Sequence, residues 1–145
     1  MNKADLERRT RRFAVGIIEF VSALPRDRAG DAVGRQPLRS GTSVGANYRE
    51  ANRAHSRSDF IHKIGTVERE AAETLYWLEL CEDVSFGDSE WRATLQKESG
   101  EFVAIFTRVE KTTRFGSPSV NPKFEFKNSR SPSPNPQSAI RNPKS

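Results

Sequence analysis

Apolar residues recur at spacings of three and four along four long segments of this 145-residue chain, which is the periodicity of amphipathic helices. Pro25 ends the first segment because proline cannot continue a helical hydrogen-bond ladder. Ser56 and Asp59 resemble a capping box at the start of the third. The segments run from about 4 to 24, from 31 to 54, from 56 into the eighties, and from 88 to 112. No stretch alternates with the period of two typical of strands. We therefore predict an all-α, antiparallel up-down four-helix bundle over residues 1–113.

The remaining residues, 114–145, differ sharply in composition. They hold six of the eight prolines and many serines, with six Lys/Arg against one Asp/Glu. A segment of this kind cannot bury enough apolar surface to offset its conformational entropy. We predict that residues 114–145 form a disordered, basic C-terminal tail. The favoured interpretation is a non-functional extension, and the alternative is a weak contact with nucleic acid.

Charge is distributed unevenly along the predicted bundle. Residues 1–63 carry 13 Lys/Arg against 7 Asp/Glu, whereas residues 64–113 carry 5 against 11. Clustered arginines attract polyanions, and their planar donors suit phosphate groups. The predicted nucleic-acid contacts are Arg8, Arg9, Arg11, Arg12, Arg39, Arg49, Arg53 and Arg57. The alternative is that these arginines form a solvated face or pair with acids, within one subunit or between subunits.

The glycine-rich stretch LRSGTSVGANYREA does not match a phosphate-binding loop. A Walker loop needs two glycines five residues apart, a following lysine and a preceding strand, and none of these is present. Gly41 and Gly45 instead lie one helical turn apart. Since glycine costs a helix about 1 kcal/mol relative to alanine, we predict that both allow close approach of another helix or another subunit. Pro37, just upstream, predicts that the second helix either bends there or begins there.

The segment around Tyr76 and Trp77 is apolar on nearly every side, although a bundle helix needs only one apolar stripe. An additional apolar face requires an additional partner, so we predict that these two residues contribute to an oligomer interface. Deeper burial of this helix within one bundle is the alternative.

Four polar residues on the predicted helices, Asn47, Glu50, Glu70 and Glu73, invite comparison with carboxylate metal sites. A di-iron bundle needs two Glu-x-x-His motifs, and the nearest match is the single Asp59-x-x-His62. We therefore predict an interhelical polar network with no metal or cofactor. No Ser–His–Asp or Cys–His arrangement is indicated, and Cys81 is the only cysteine, so we expect no enzyme activity. Without a secretory signal or an apolar run of about 20 residues, the chain is expected to be cytoplasmic.

Three motifs resemble the four-helix-bundle proteins of the 23S rRNA intervening-sequence protein family. Their pattern is R-S-x-x-S-x-x-A-N-x-x-E-A, then D-F-x-x-K, then E-A-x-E-T-x-Y-W-L, and the opening segment RRTRRFAVGIIEFVSALP is also similar. The matching residues are Arg39, Ser40, Ser43, Ala46, Asn47, Glu50 and Ala51, then Asp59, Phe60 and Lys63, then Glu70, Ala72, Glu73, Thr74, Tyr76, Trp77 and Leu78. Pro37 and the tail depart from the family pattern.

The resemblance implies a bundle that assembles into a ring-like pentamer, encoded within intervening sequences of bacterial 23S rRNA genes and without established catalysis. A related branch, the accessory proteins of diversity-generating retroelements, implies contact with nucleic acid and a reverse transcriptase. The leading hypothesis is a non-catalytic, oligomeric protein that binds RNA or DNA through arginines. The alternative is a structural module whose arginines serve subunit assembly or a protein partner.

Overall fold

Four α-helices make up a computed structural model that describes residues 1–116. They are α1 (Lys3–Ser22), α2 (Arg28–Ala51), α3 (Arg57–Asp83) and α4 (Ser89–Phe115). Five residues link each helix to the next, so consecutive helices are antiparallel neighbours, and α4 packs back against α1. The prediction of an all-α four-helix bundle is confirmed, and no strand occurs within residues 1–116.

Each helix begins where a short polar side chain caps its free backbone N–H groups. Asn2, Asp27, Ser56 and Asp88 each accept a hydrogen bond from the backbone nitrogen three residues later, at 2.8–3.0 Å. The cap at Asp27 starts α2 at Arg28, three residues earlier than the apolar pattern predicts. At Ser56 the predicted capping box is incomplete, because Asp59 accepts from the backbone nitrogen of His55 instead, at 3.2 Å.

Helix α2 continues through Pro37 without interruption. Of the two outcomes predicted at Pro37, a bend or a helix start, the helix start is wrong, because the cap at Asp27 starts α2 at Arg28, nine residues earlier. Pro37 is buried in a row of buried small residues that continues at Gly34 and Gly41. This row faces α1, so packing against α1 offsets the loss of one helical hydrogen bond.

Aromatic rings fill much of the core. Phe13 of α1 meets Phe102 of α4 edge to face with 5.2 Å between ring centroids, and Tyr48 of α2 lies 5.2 Å from Phe106. Tyr48 is fully buried, and this burial raises its pKa to about 12. The core is continuous along all four helices.

The link between α3 and α4 is held by a buried arginine that the sequence does not single out. Arg92 is 9% exposed, and its guanidinium donates to the backbone carbonyls of Phe86 at 2.8 Å and Gly87 at 3.3 Å. Gly87 has a φ of 86°, a left-handed conformation that favours glycine. These contacts give two half-buried carbonyls of the turn a hydrogen-bond donor.

The predicted tail lies mostly outside the described residues. Helix α4 ends at Phe115, two residues into the segment predicted as tail. The predicted disorder of residues 117–145 falls on residues that the structure does not describe. Among the described helices, none is long and apolar enough to cross a membrane.

Candidate nucleic-acid interface

Folding turns the charge asymmetry of the sequence into an asymmetry between the two ends of the bundle. Because neighbouring helices are antiparallel, residues 1–12, 40–69 and 102–116 lie toward one end, which we call the basic end. They carry 13 Lys/Arg against 6 Asp/Glu. Residues 13–39 and 70–101 lie toward the opposite, acidic end and carry 6 Lys/Arg against 12 Asp/Glu. The basic end is therefore the part of the described surface that best attracts polyanions.

Arg9 of α1 binds carboxylates of α4 and so forms part of the contact between these helices. Its Nε donates to Glu98 Oε2 at 2.7 Å and its Nη2 donates to Glu98 Oε1 at 2.9 Å. It also pairs with Glu101 and lies over the ring of Phe102, 5.1 Å from the centroid. The hydrogen bonds to Glu98 are the main cause of the raised pKa of Arg9. A predicted nucleic-acid contact is thus a partly buried structural residue.

Arg39 pairs with two carboxylates of α3 rather than standing free. Its guanidinium contacts Glu70 at 3.4 Å and also Glu73. The indole nitrogen of Trp77 donates to Glu73 at 3.1 Å, so Arg39 and then Trp77 lower the pKa of this carboxylate. A buried hydrogen bond of 2.7 Å between the hydroxyls of Ser40 and Thr74 joins the same helices. Residues from the first and third sequence motifs therefore meet across the α2–α3 contact.

The predicted polar network is only partly formed. Glu70 and Glu73 belong to it through Arg39. Asn47 is half-buried and Glu50 is exposed, and neither has a side-chain hydrogen bond to another residue of the described region. Within residues 1–116 of a single chain, the network is therefore described for Glu70 and Glu73, and the part predicted for Asn47 and Glu50 stays a prediction.

Arg57 and Arg8 are also engaged by the bundle. The Arg57 guanidinium donates to the backbone carbonyl of Thr113 from Nε at 2.8 Å and from Nη2 at 2.6 Å, which caps the end of α4. Arg8 pairs with Asp5, an exposed carboxylate whose pKa is lowered first by its backbone hydrogen bond at Asn2. The predicted row of Arg49, Arg53 and Arg57 therefore does not present three free guanidinium groups.

Four of the eight predicted arginines remain free for a ligand. Arg11 and Arg12 on α1, and Arg49 and Arg53 at the end of α2, are exposed and form no ion pair with any residue of the 1–116 region. Two further cations at this end, Arg108 and Lys111 of α4, are exposed as well. The sequence analysis missed them because they lie in its acidic half and join the basic end only when the helices pack antiparallel.

Gly41 and Gly45, the two glycines of the stretch LRSGTSVGANYREA, face α1 of the same chain. A Cβ atom at position 41 would lie 2.8 Å from Ile17 Cγ1, and one at position 45 would lie 3.1 Å from Thr10 Oγ1. The predicted interface residues on α3 are less enclosed. Tyr76 is 55% exposed and Trp77 is half-buried, with 5.0 Å between their ring centroids.

The described histidines and the cysteine lie apart from any cluster of metal-ligating side chains. Within residues 1–116, no three His, Cys, Asp or Glu side chains cluster so as to hold a metal ion. His55 and His62 are exposed, and Cys81 is buried with its pKa raised by desolvation. A buried thiol of raised pKa is a poor nucleophile.

Comparison with known proteins identifies the family. The model of the family described as 23S rRNA-intervening sequence protein matches residues 2–108, which span the four helices up to the last two turns of α4. The chain belongs to this family. A solved structure from Bacteroides thetaiotaomicron, titled as a protein with unknown function from the S23 ribosomal protein family, is 36% identical to the chain. The match covers 77% of this chain and 100% of that one, with a TM-score of 0.71. No curated protein matches the chain.

Proposed function

We propose that this intervening-sequence protein is a non-catalytic, oligomeric bundle that binds RNA or DNA through its basic end. The observation that carries the proposal is the excess of 13 Lys/Arg over 6 Asp/Glu at that end, combined with four guanidinium groups that have no ion pair in the described region. Guanidinium groups that are not neutralised by the protein are available for phosphate oxygens.

The chain that follows α4 also favours the basic end as the surface that binds nucleic acid. Gly116 ends the described region beside the end of α2 and the start of α3, and residues 117–145 add five Lys/Arg against one Asp/Glu. Basic extensions strengthen binding to a polyanion without sequence recognition. In this proposal residues 117–145 form a basic tail that is dispensable for folding, and the protein works in the cytoplasm.

Oligomerisation is supported by apolar side chains that the single bundle leaves in solvent. Tyr76 on α3 is 55% exposed, and Val15 and Ile18 on α1 are 48% and 45% exposed. Helices α1 and α3 lie diagonally across the bundle, so these side chains offer two separate surfaces to neighbouring copies. A ring such as the family's pentamer would repeat the basic end in every subunit and add phosphate contacts.

The second candidate is a structural module in which the arginines bind protein. It is favoured by the acidic end, where 12 Asp/Glu exceed 6 Lys/Arg. The basic end of one copy could pair with the acidic end of another, or with an acidic surface of a partner such as a reverse transcriptase. Both candidates predict salt sensitivity, so only a direct assay with nucleic acid separates them.

The test is binding of the full chain to an RNA hairpin and a DNA duplex at several salt concentrations, with the particle mass followed by light scattering. We expect the logarithm of the affinity to fall linearly with the logarithm of the salt concentration, by about 0.9 per phosphate contact for duplex DNA. Absence of binding at low salt, while the oligomer dissociates as salt rises, would support the structural module and reject nucleic-acid binding.

A further inference from the structure

A groove runs between α1 and α2 at the basic end. It encloses about 300 Å³, and its lining includes Arg11 and Ala14 of α1 with Gly45, Ala46 and Arg49 of α2. Since liquid water occupies about 30 Å³ per molecule, the groove has room for a phosphate group and some of its hydration water. The small residues keep it open, because a larger side chain at position 45 or 46 would fill it.

The charges along this groove are unbalanced. Arg11 and Arg49 both line it, and neither forms an ion pair within residues 1–116. The carboxylate in the lining is Glu7, whose Oε2 accepts a hydrogen bond of 2.9 Å from the side-chain amide of Asn52. Two guanidinium groups in one groove repel each other, and an anion between them would remove that repulsion and accept hydrogen bonds from both.

We propose that this groove binds a phosphate of a nucleic-acid backbone, with Arg11 and Arg49 donating to it from two different helices. The inference rests on the proposed function and assigns its central contact. Two forked donors on separate, well-packed helices hold a phosphodiester in a defined position, which scattered surface charges do not. The groove thus sets the position of the nucleic-acid strand, and Arg12 and Arg53 add electrostatic attraction to its phosphates without fixing a position.

The same helix pair provides an internal comparison at the acidic end. A second groove of about 350 Å³ is lined by Arg26 and Arg35 together with Asp31. It has the same two helices, a similar volume and the same number of arginines. Each lining also holds one carboxylate, Glu7 in the first groove and Asp31 in the second. The two grooves differ in their surroundings, because the end of the bundle around the second groove carries excess negative charge. We therefore expect the second groove to bind phosphate more weakly.

Three double variants that each remove two positive charges test the proposal. They are Arg11→Gln with Arg49→Gln in the groove, Arg12→Gln with Arg53→Gln at the same end, and Arg26→Gln with Arg35→Gln at the acidic end. Binding to an RNA hairpin and a DNA duplex is measured against salt for each full-length variant. The groove holds one phosphate in this proposal, so the groove variant is expected to lower the salt slope by about 0.9 for the DNA duplex. The other two variants should lower it less.

A fourth variant separates donor geometry from charge. Arg11→Lys with Arg49→Lys keeps both charges but lacks the planar fork, so we expect it to lose affinity with an almost unchanged salt slope. All four variants alter exposed side chains, and thermal unfolding checks that each is folded.

The outcomes distinguish this inference from the proposed function. If the parent protein binds nucleic acid but the groove variant behaves like the Arg12/Arg53 variant, the groove is no special site and the proposed function stands. If the Arg26/Arg35 variant loses as much, net charge alone decides and the groove assignment is again wrong. If the parent protein binds neither RNA nor DNA at low salt, the proposed function fails and the inference with it. If the groove variant loses binding of inorganic phosphate but binds RNA and DNA like the parent protein, the groove is a site for small anions and the backbone assignment is wrong.

Discussion

Arg9→Gln is expected to lower the free energy of unfolding by about 1–3 kcal/mol and to leave the salt slope of nucleic-acid binding unchanged. Glutamine cannot replace the paired hydrogen bonds to Glu98, the contact with Glu101 or the charge over Phe102. The substitution also leaves two carboxylates on neighbouring turns of α4 without a counter-charge. Because both lie beside α1, their repulsion weakens the contact that closes the bundle.

Arg12→Gln is the matched control. Arg12 lies on the same helix, is exposed and has no ion pair in the described region, so its loss should change stability by less than about 0.5 kcal/mol. Denaturant unfolding of both variants gives the stability difference, and nucleic-acid binding is measured on the same samples. If Arg9→Gln is as stable as the parent protein and has a reduced salt slope, Arg9 contacts nucleic acid and its structural role is contradicted.

The four helices could be predicted from sequence because their apolar spacing repeats over many turns, but two of their ends, the start of α2 and the end of α4, could not. Helix α2 begins at Arg28 because Asp27 caps it, although the first strong apolar position comes later. Helix α4 runs on to Phe115, whose side chain is 76% exposed and adds nothing to the apolar stripe. Helix boundaries depend on local hydrogen bonds, which apolar periodicity does not record.

Which arginines are free could not be predicted from their number and spacing. Arg9, Arg11 and Arg12 lie within four residues of one another, yet Arg9 faces α4 while the other two face solvent. A rotation of about 100° per residue separates them on the helix. Assigning each one requires knowing which helix packs on which side of α1, and that is a tertiary contact.

The separation of charge between the two ends of the bundle could not be predicted from sequence either. Counting charges along the chain places the basic residues in the first half. Antiparallel packing moves residues 13–39 to the acidic end and brings Arg108 and Lys111 of α4 to the basic end. The candidate interface is therefore built from three stretches that are distant in sequence, and their common location follows only from the fold.

Gly45→Leu is expected to destabilise the bundle by about 1–3 kcal/mol, after the modest gain that leucine brings to helix formation. A Cβ atom at this position would already lie 3.1 Å from Thr10 Oγ1 and 3.3 Å from Thr10 Cβ. The Cβ atom of leucine would press on Thr10, and its three further carbon atoms would either crowd α1 or occupy the groove that Gly45 lines. Gly45→Ala should cost less, because Thr10 needs to yield by only a few tenths of an ångström.

Gly100→Leu provides the control with the opposite expected sign. Gly100 is also in the middle of a helix, but apart from its chain neighbours and the nearby backbone of its own helix, no atom lies within 4 Å of the position that its Cβ would occupy. Leucine there relieves the cost of a helical glycine, so stability should rise by about 0.5–1 kcal/mol. Denaturant unfolding measures both changes, and light scattering follows the particle mass. If Gly45→Leu unfolds like the parent bundle but loses its oligomeric mass, the glycine row serves a contact between subunits. Close packing of α1 and α2 within one chain predicts a different result. Gly45→Leu should then lose stability, while the protein that remains folded keeps the oligomeric mass of the parent.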